Sequence, residues 1–274
     1  MESEVVMCSA VLSTLNSQLS TLIKGVIFMP SVFLSPSTQE YNPYIDGGNE
    51  EYYMNVITDA LIPYLEASGI EYERNDPSKT FANSVKLSNQ GNFDLHLALH
   101  SNAAPPANAG QARGSQVYYY ADSAQAKRAA NIFANNLKEI YPIPSKVETV
   151  PTKNLGELNR TKAPAILIEL AYHDNPDDAE WIRDNIGTIA QNLAISVSDF
   201  LGIKENPPAP PKTATVTTQN SNLNLRAEPS VNAKIVGRIP NGSAIAISGS
   251  VDNWYLTKWN GISGYVSAKY VKVE

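Results

Sequence analysis

Three places in the chain carry side chains able to do chemistry together. His100 ends an apolar, alternating run, Glu169 ends another, and the pair Glu50-Glu51 opens an amphipathic stretch. One imidazole, one carboxylate on a helix and one carboxylate free to move protons suit zinc-assisted hydrolysis with a general base. Glu169 is the most informative. It follows Ile166-Leu167-Ile168 in a segment that reads as buried, and a carboxylate there needs a partner or a task. The others have plain structural readings beside the chemical one. His100 suits a hydrogen-bonded core histidine, Glu50 and Glu51 suit the positive end of a helix dipole, and Gln39 and His173 suit polar loops. His96 lies about 13 Å from His100 along an extended strand at ~3.3 Å per residue, too far to share one ion, so it reads as a core or supporting residue.

The elements that must position these groups alternate. Val32-Phe33-Leu34 is a short strand ended by Ser35-Pro36, and 51–68 carries Met54, Ile57, Leu61 and Leu65 at helical spacing before Gly69. Residues 94–100 put Leu95, Leu97 and Leu99 on one face and His96, Ala98 and His100 on the other. The spacing predicts further strands over 116–120 and 165–170, a helix over 124–141, and a helix over 178–200 loosened near Gly187. This is an α/β pattern with a mostly parallel sheet flanked by helices, whose sites gather beyond the carboxyl ends of the strands.

Composition narrows the function further. The 274 residues hold 21 Lys+Arg and 27 Asp+Glu, an acidic balance that disfavours nucleic acid as a partner. A single cysteine, Cys8, excludes an internal disulfide, an iron–sulfur cluster or a cysteine-rich zinc site. Charge is uneven along the chain. Residues 213–274 carry six basic and three acidic residues, and the remainder carries 15 and 24, which points to two modules with different partners. Between them, Asn206-Pro-Pro-Ala-Pro-Pro211 reads as a semi-rigid spacer. The expected organisation is an N-terminal extension outside the fold (1–28), a first domain (29–203), a linker (204–212) and a small all-β module (213–274). Polar residues interrupt the apolar content of 5–27, and Glu2 and Glu4 stand where an export signal carries positive charge. Neither a membrane span nor a signal peptide is therefore expected.

The landmarks, in order, resemble the zinc-dependent N-acetylmuramoyl-L-alanine amidases of bacterial autolysins and phage endolysins. They are Val32-Phe-Leu-Ser-Pro36, Asn49-Glu-Glu-Tyr-Tyr-Met-Asn55, Leu65-Glu-Ala-Ser-Gly69 and Arg74-Asn-Asp76. After these come Asp94-Leu-His-Leu-Ala-Leu-His-Ser-Asn-Ala103, Arg113-Gly114 before Val117-Tyr-Tyr, and Pro164-Ala-Ile-Leu-Ile-Glu-Leu170. The second module, with Leu223-Asn-Leu-Arg-Ala-Glu-Pro229, Trp254-Tyr255 and Gly264-Tyr-Val-Ser-Ala-Lys-Tyr270, resembles the bacterial SH3-like domains of wall hydrolases. Without the resemblance it reads as short period-2 strands split by turns, a small barrel.

The resemblance implies one zinc ion held by His100 and Glu51, with Glu169 as the catalytic glutamate. It also implies hydrolysis of the amide between N-acetylmuramic acid and the L-alanine of the stem peptide. The family's further histidine, just after the first strand, is absent: Thr38 stands at its place. Gln39, His173 or a water remain as the third ligand, with Gln39 preferred for its position. The implied partner is peptidoglycan, with no membrane partner and a monomeric chain, made in the cytoplasm and reaching the wall after lysis or non-classical release. Two other readings stand beside this one: a catalytically silent wall-binding protein on the same fold, and a zinc peptidase of another wall bond.

Overall fold

The computed structural model describes residues 29–45, 47–203, 212–251 and 253–274. The expected extension over 1–28 and nearly all of the proline-rich linker lie outside the described residues. The first domain is a six-stranded sheet. Its strands are β1 (Ser31–Pro36), β2 (Glu71–Arg74), β3 (Leu95–Asn102), β4 (Ser115–Tyr120), β5 (Val147–Thr152) and β6 (Ala165–Tyr172), in the order β2-β1-β3-β6-β4-β5. All pairings are parallel except β4 with β6, in line with the mostly parallel expectation.

The central strands β3 and β6 are buried on both faces, which is why their sequences read as near-continuous apolar runs. On one face, Leu95, Leu97, Leu99, Ile166 and Ile168 pack against α1 (Glu50–Ala67), α3 (Ala124–Lys138) and α6 (Ile186–Leu201). The opposite face carries His96, Ala98 and His100 beside Ala165, Leu167 and Glu169. A smaller cluster around Leu158, on the four-residue helix α4 (Gly156–Asn159), covers it. The remaining helices are α2 (Phe81–Ser88) and α5 (Pro176–Asp184). The helix read over 178–200 is therefore two, α5 and α6, broken at Asn185, two residues before the glycine that suggested the loosening.

The second domain is a seven-stranded antiparallel sheet: β7 (Lys212–Val216), β8 (Leu223–Arg226), β9 (Ile235–Ile239), β10 (Ala244–Val251), β11 (Trp254–Trp259), β12 (Ile262–Ser267) and β13 (Val271–Val273). Its own core is Ala214, Val216, Leu223, Leu225, Ile239, Ile245, Ile247 and Val266. Leu256 and Tyr265 instead belong to the core of the first domain, each 1% exposed.

The contact between domains has a local cause. Pro63 sits inside α1 and has no N–H to give the carbonyl of Asp59. The backbone of Gly249 lies at that carbonyl, so close that a Cβ at position 249 would stand 3.0 Å from the Asp59 oxygen. The Tyr265 hydroxyl donates to Asp59, which also pairs with Arg74. The Tyr52 hydroxyl donates to the carbonyl of Ser263 at 3.0 Å, and Lys258 Nζ donates to the carbonyl of Asp184 at 3.2 Å.

Candidate active site

Parallel pairing places His100 and Glu169 side by side, because the register of β3 against β6 sets them opposite each other. Paired residues on adjacent strands share a face, so both side chains emerge together near the carboxyl ends of the strands. The third group comes from the start of α1. Asn49 caps that helix, its side chain accepting from Tyr52 N at 2.8 Å, and Glu50 N donates to Asn42 O at 3.0 Å. These bonds fix the phase of the first turn, and Glu50, 1% exposed, turns inward.

His100 Nδ1 donates to Glu50 Oε1 at 2.8 Å. Gln39 Nε2 lies 3.2 Å from the same ring nitrogen and 3.4 Å from Glu50 Oε1. Asn42 Nδ2 donates to Glu50 Oε2 at 2.6 Å. His100, Glu50 and Gln39 thus meet at one point, with Asn42 of the same loop closing on Glu50. The amide of Gln39 is held the other way round from a metal ligand: Tyr41 and Asn42 both donate to its Oε1, each at 3.2 Å.

Glu51 does not join this group. One residue along a helix is about 100° around the axis, and its carboxylate accepts from Asn55 Nδ2 at 3.3 Å on the side facing the second domain. The helix-borne carboxylate that reaches His100 is Glu50, a correction to the assignment of Glu51 that the resemblance implied. The capping Asn49 decides it, since the cap sets which residue of the first turn faces the sheet. His173 is also held elsewhere, with Nδ1 donating to Ser101 O at 3.0 Å and its ring stacked on Tyr44 at 5.2 Å.

Sequence reasoning missed Glu157. This residue, on α4, is 5% exposed and receives the Ser35 hydroxyl and, at 3.0 Å, the Nε2 of His96. Its other oxygen lies 3.9 Å from His100 Nε2. One carboxylate thereby spans the two histidines that the extended strand keeps apart. His96 is fully buried, its Nδ1 2.9 Å from Ser88 Oγ and its ring stacked on Phe33, as expected of a supporting residue. Nothing in the short polar segment around Glu157 marked it for burial.

The electrostatics follow from this crowding of carboxylates. Burial alone would lower the pKa of His100, but the carboxylates of Glu157 and Glu50 beside the ring, the latter hydrogen-bonded to it, outweigh burial and hold the ring protonated well above the usual imidazole range. Burial pushes Glu169 up to about 7, with His100 pulling it down and Glu50 adding to the rise. Glu169 Oε2 is buried with no hydrogen-bond partner among the described residues. A buried carboxylate oxygen left unpaired is an expensive arrangement, and such groups concentrate where chemistry is done.

Could these residues hold a metal? A carboxylate and an imidazole nitrogen already at 2.8 Å are the donor types zinc takes. Among the described residues no group of three or more His, Cys, Asp or Glu could hold an ion. As the side chains stand, Glu50 and His100 present two donors of the types zinc takes, and the Gln39 oxygen is turned away toward Tyr41 and Asn42.

Comparison with known proteins adds a family context. Residues 39–199 match the family model described as N-acetylmuramoyl-L-alanine amidase, and residues 221–272 match the one described as bacterial SH3 domain. A Staphylococcus aureus protein named "Probable cell wall amidase LytH" is 30% identical over 93 residues, which are 34% of this chain and 30% of that protein. The chain spans under a third of the length of the curated relatives it matches. Among solved structures, the N-acetylmuramoyl-L-alanine amidase AmiC2 of Nostoc punctiforme superposes with a TM-score of 0.56 at 18% identity, covering 64% of this chain and 98% of its own. An N-acetylmuramoyl-L-alanine amidase from Clostridium difficile 630 gives 0.56 at 19%, covering 63% and 97%. At those identities the likeness is one of fold.

Proposed function

The chain belongs to the N-acetylmuramoyl-L-alanine amidase family, and from that premise we propose that it hydrolyses the amide joining N-acetylmuramic acid to the L-alanine of the stem peptide in peptidoglycan. The observation that carries this reading is the meeting of Glu50, His100 and Glu169 at the strand ends, within the segment that matches the family.

Glu50 and His100 Nδ1 would hold one zinc ion, with the Gln39 amide oxygen as a third donor after that amide turns over. When bound, zinc supplies Lewis acidity toward the scissile carbonyl and lowers the pKa of the attacking water. The proton now on His100 Nδ1 must leave before that nitrogen can bind metal. Glu157 keeps its negative charge behind the ring and orients it, as a carboxylate partner does for a ligating histidine. Glu169, its carboxylate poised near neutral pH and one oxygen unpaired, takes a proton from water as the oxygen attacks the carbonyl carbon. It returns that proton to the leaving nitrogen as the C–N bond breaks. The products are a free lactyl carboxylate and a peptide beginning with alanine.

Turning Gln39 over gives up the bonds from Tyr41 and Asn42, each worth about 0.5–1.5 kcal/mol. Zinc should therefore be held less firmly than by three charged or imidazole ligands. That observation favours, as a second reading, a wall-binding protein that has lost its metal and its activity. The barrel, with its surplus of basic residues, suits an anionic wall polymer in either case, and we place the site of action at the cell wall with a monomeric chain. Purified walls digested by the zinc-loaded protein separate the readings. New amino-terminal alanine without new reducing ends, abolished by Glu169→Gln, is the expected result. No alanine released even with zinc supplied would leave the binding protein, and new ends at another peptide bond would make it a peptidase.

A further inference from the structure

One cavity of the molecule differs from the others in charge. Three cavities, of about 380 to 650 Å³, are each lined by three carboxylates, in keeping with a chain of net charge −6. A fourth, of about 510 Å³, lies wholly on the barrel and shares no residue with those three. Arg226 and Lys269 line it, and no acidic residue does among the described residues. Glu228, two positions beyond Arg226, lines the seam with the first domain instead. The alternation of β8 accounts for part of this groove: Leu223 and Leu225 enter the barrel core, so Asn224 and Arg226 face outward. Register sets the exposed Arg238 of β9 opposite Asn224, which puts a third cation at the border. Arg226 Nη1 donates to Ala233 O at 2.7 Å, and Lys269 Nζ lies 5.4 Å from the centre of the Tyr270 ring. Neither cation is in an ion pair among the described residues.

The walls are braced. Thr217 N donates to Tyr270 O at 2.8 Å, joining the turn after β7 to the turn after β12. Asn241 accepts from Thr218 N at 2.9 Å and donates to Gln219 O at 2.7 Å, holding Gln219 in the left-handed region at φ 64°. Trp254, which also lines the groove, packs against the core of the first domain. A ligand bound here is therefore held at a fixed position relative to the strand-end site.

We propose that this groove binds a linear phosphodiester polymer whose phosphates are joined by hydroxyl-bearing units, as in a polyol phosphate. The inference rests on the reading of the barrel as a wall-binding module, and it is independent of the reaction at Glu169. Cations with no carboxylate opposite them call for an anion, and a neutral glycan would leave both unpaired. A single terminal carboxylate would occupy one of them. A repeating anion engages Arg226, Lys269 and the bordering Arg238 together, which suits charge-assisted hydrogen bonds to phosphate. The side chains of Asn222, Asn224 and Ser267 line the groove and make no hydrogen bond among the described residues, so they are free to take the hydroxyls between phosphates. Tyr270, 40% exposed, and the half-buried Trp254 offer apolar faces to the carbon chain of the spacer.

Calorimetric titration of the full chain with a synthetic oligomer of glycerol phosphate tests this without any need for catalysis. Saturable binding that weakens as salt is added is expected. Lys269→Gln and Arg226→Gln should each weaken it at least about fivefold, the loss of one charge-assisted contact. Lys269 is exposed, so Lys269→Gln should keep the melting temperature of the parent chain. Lys272→Gln removes the same charge from an exposed position on β13 outside the groove, and it should change the affinity little. Absence of binding, or equal losses in all three variants, would overturn the proposal. Equally tight binding of an oligoglutamate or an oligothymidylate of matched charge would do so too, since the groove would then be reading charge alone. Loss of polymer binding with alanine release from walls intact would refute the groove and leave the reaction standing. Polymer binding without any alanine release would refute the reaction and leave the groove standing.

Discussion

His100 Nδ1 stands 2.8 Å from Glu50 Oε1, joining the carboxyl end of the third strand to the first turn of the first helix. The two residues are fifty positions apart, and the sheet and the Asn49 cap bring them together. If this pair is the core of a zinc site, Glu50→Gln and His100→Ala should each weaken zinc by more than about 100-fold, exceeding the loss seen when only supporting residues are removed. Glu51→Gln should leave zinc affinity near that of the parent chain. Competition with a chromogenic chelator measures all three, and equal losses at positions 50 and 51 would contradict the geometry.

The raised carboxyl of Glu169 has a consequence for stability. An ordinary glutamate titrates near 4.5 and this one near 7. Because the folded value is the higher one, its contribution to folding is complete below about pH 4.5 and is lost as pH rises through about 7. At 1.36 kcal/mol per unit, the loss amounts to roughly 3 kcal/mol. In chelator-treated protein, Glu169→Gln should therefore be more stable than the parent at pH 8 and should lose that advantage at pH 4. Denaturant melts at both values give the answer, and a difference that does not change with pH would remove Glu169 as the source.

Much of this architecture was readable from the chain because periodicity reports burial. The runs around His100 and Glu169 are apolar because β3 and β6 are covered on both faces, so strand, neighbour and strand-end position could all be inferred. Other features left no such trace. Glu50 and Glu51 are chemically identical neighbours, and only the capping contact of Asn49 decides which turns inward. Glu157 lies in a polar segment, and its burial comes from His96 and Ser35, which are far away in sequence. The short strands β2 and β5 are partly exposed, and their alternation is diluted by charged residues and a proline. The seating of the barrel on α1 depends on one carbonyl that Pro63 leaves free, a tertiary effect that no local pattern encodes.

Asp178 offers a test of the frame around the site. It is fully buried and accepts from Arg113 Nε at 2.9 Å, Tyr141 Oη at 2.7 Å, Gly114 N at 3.1 Å and Tyr172 N at 3.1 Å. Those bonds tie the start of α5 to the approach to β4 and the end of β6. Asp178→Asn puts an amide N–H where donors already point and leaves Arg113 without its buried partner. Breaking a buried pair in this way costs about 3–5 kcal/mol. Urea melts of the two chains measure it, and a change below about 1 kcal/mol would mean that the network contributes little.

Gly249 tests the seam itself. Its backbone approaches the Asp59 carbonyl so closely that a Cβ would sit 3.0 Å from the oxygen and 3.7 Å from the carbonyl carbon. The obstacle is helix backbone, which cannot swing aside as a flexible side chain can. Gly249→Val must therefore push β10 away from α1 or distort the bulge between Ile247 and Gly249. Overpacking of this kind costs about 1–3 kcal/mol. Once β10 moves, the Tyr265 hydroxyl loses Asp59 and the Tyr52 hydroxyl loses Ser263. Amide exchange should then accelerate along β10 and in the middle of α1 while β3 and β6 stay protected. Unchanged exchange in α1 would show that the helix does not feel the barrel.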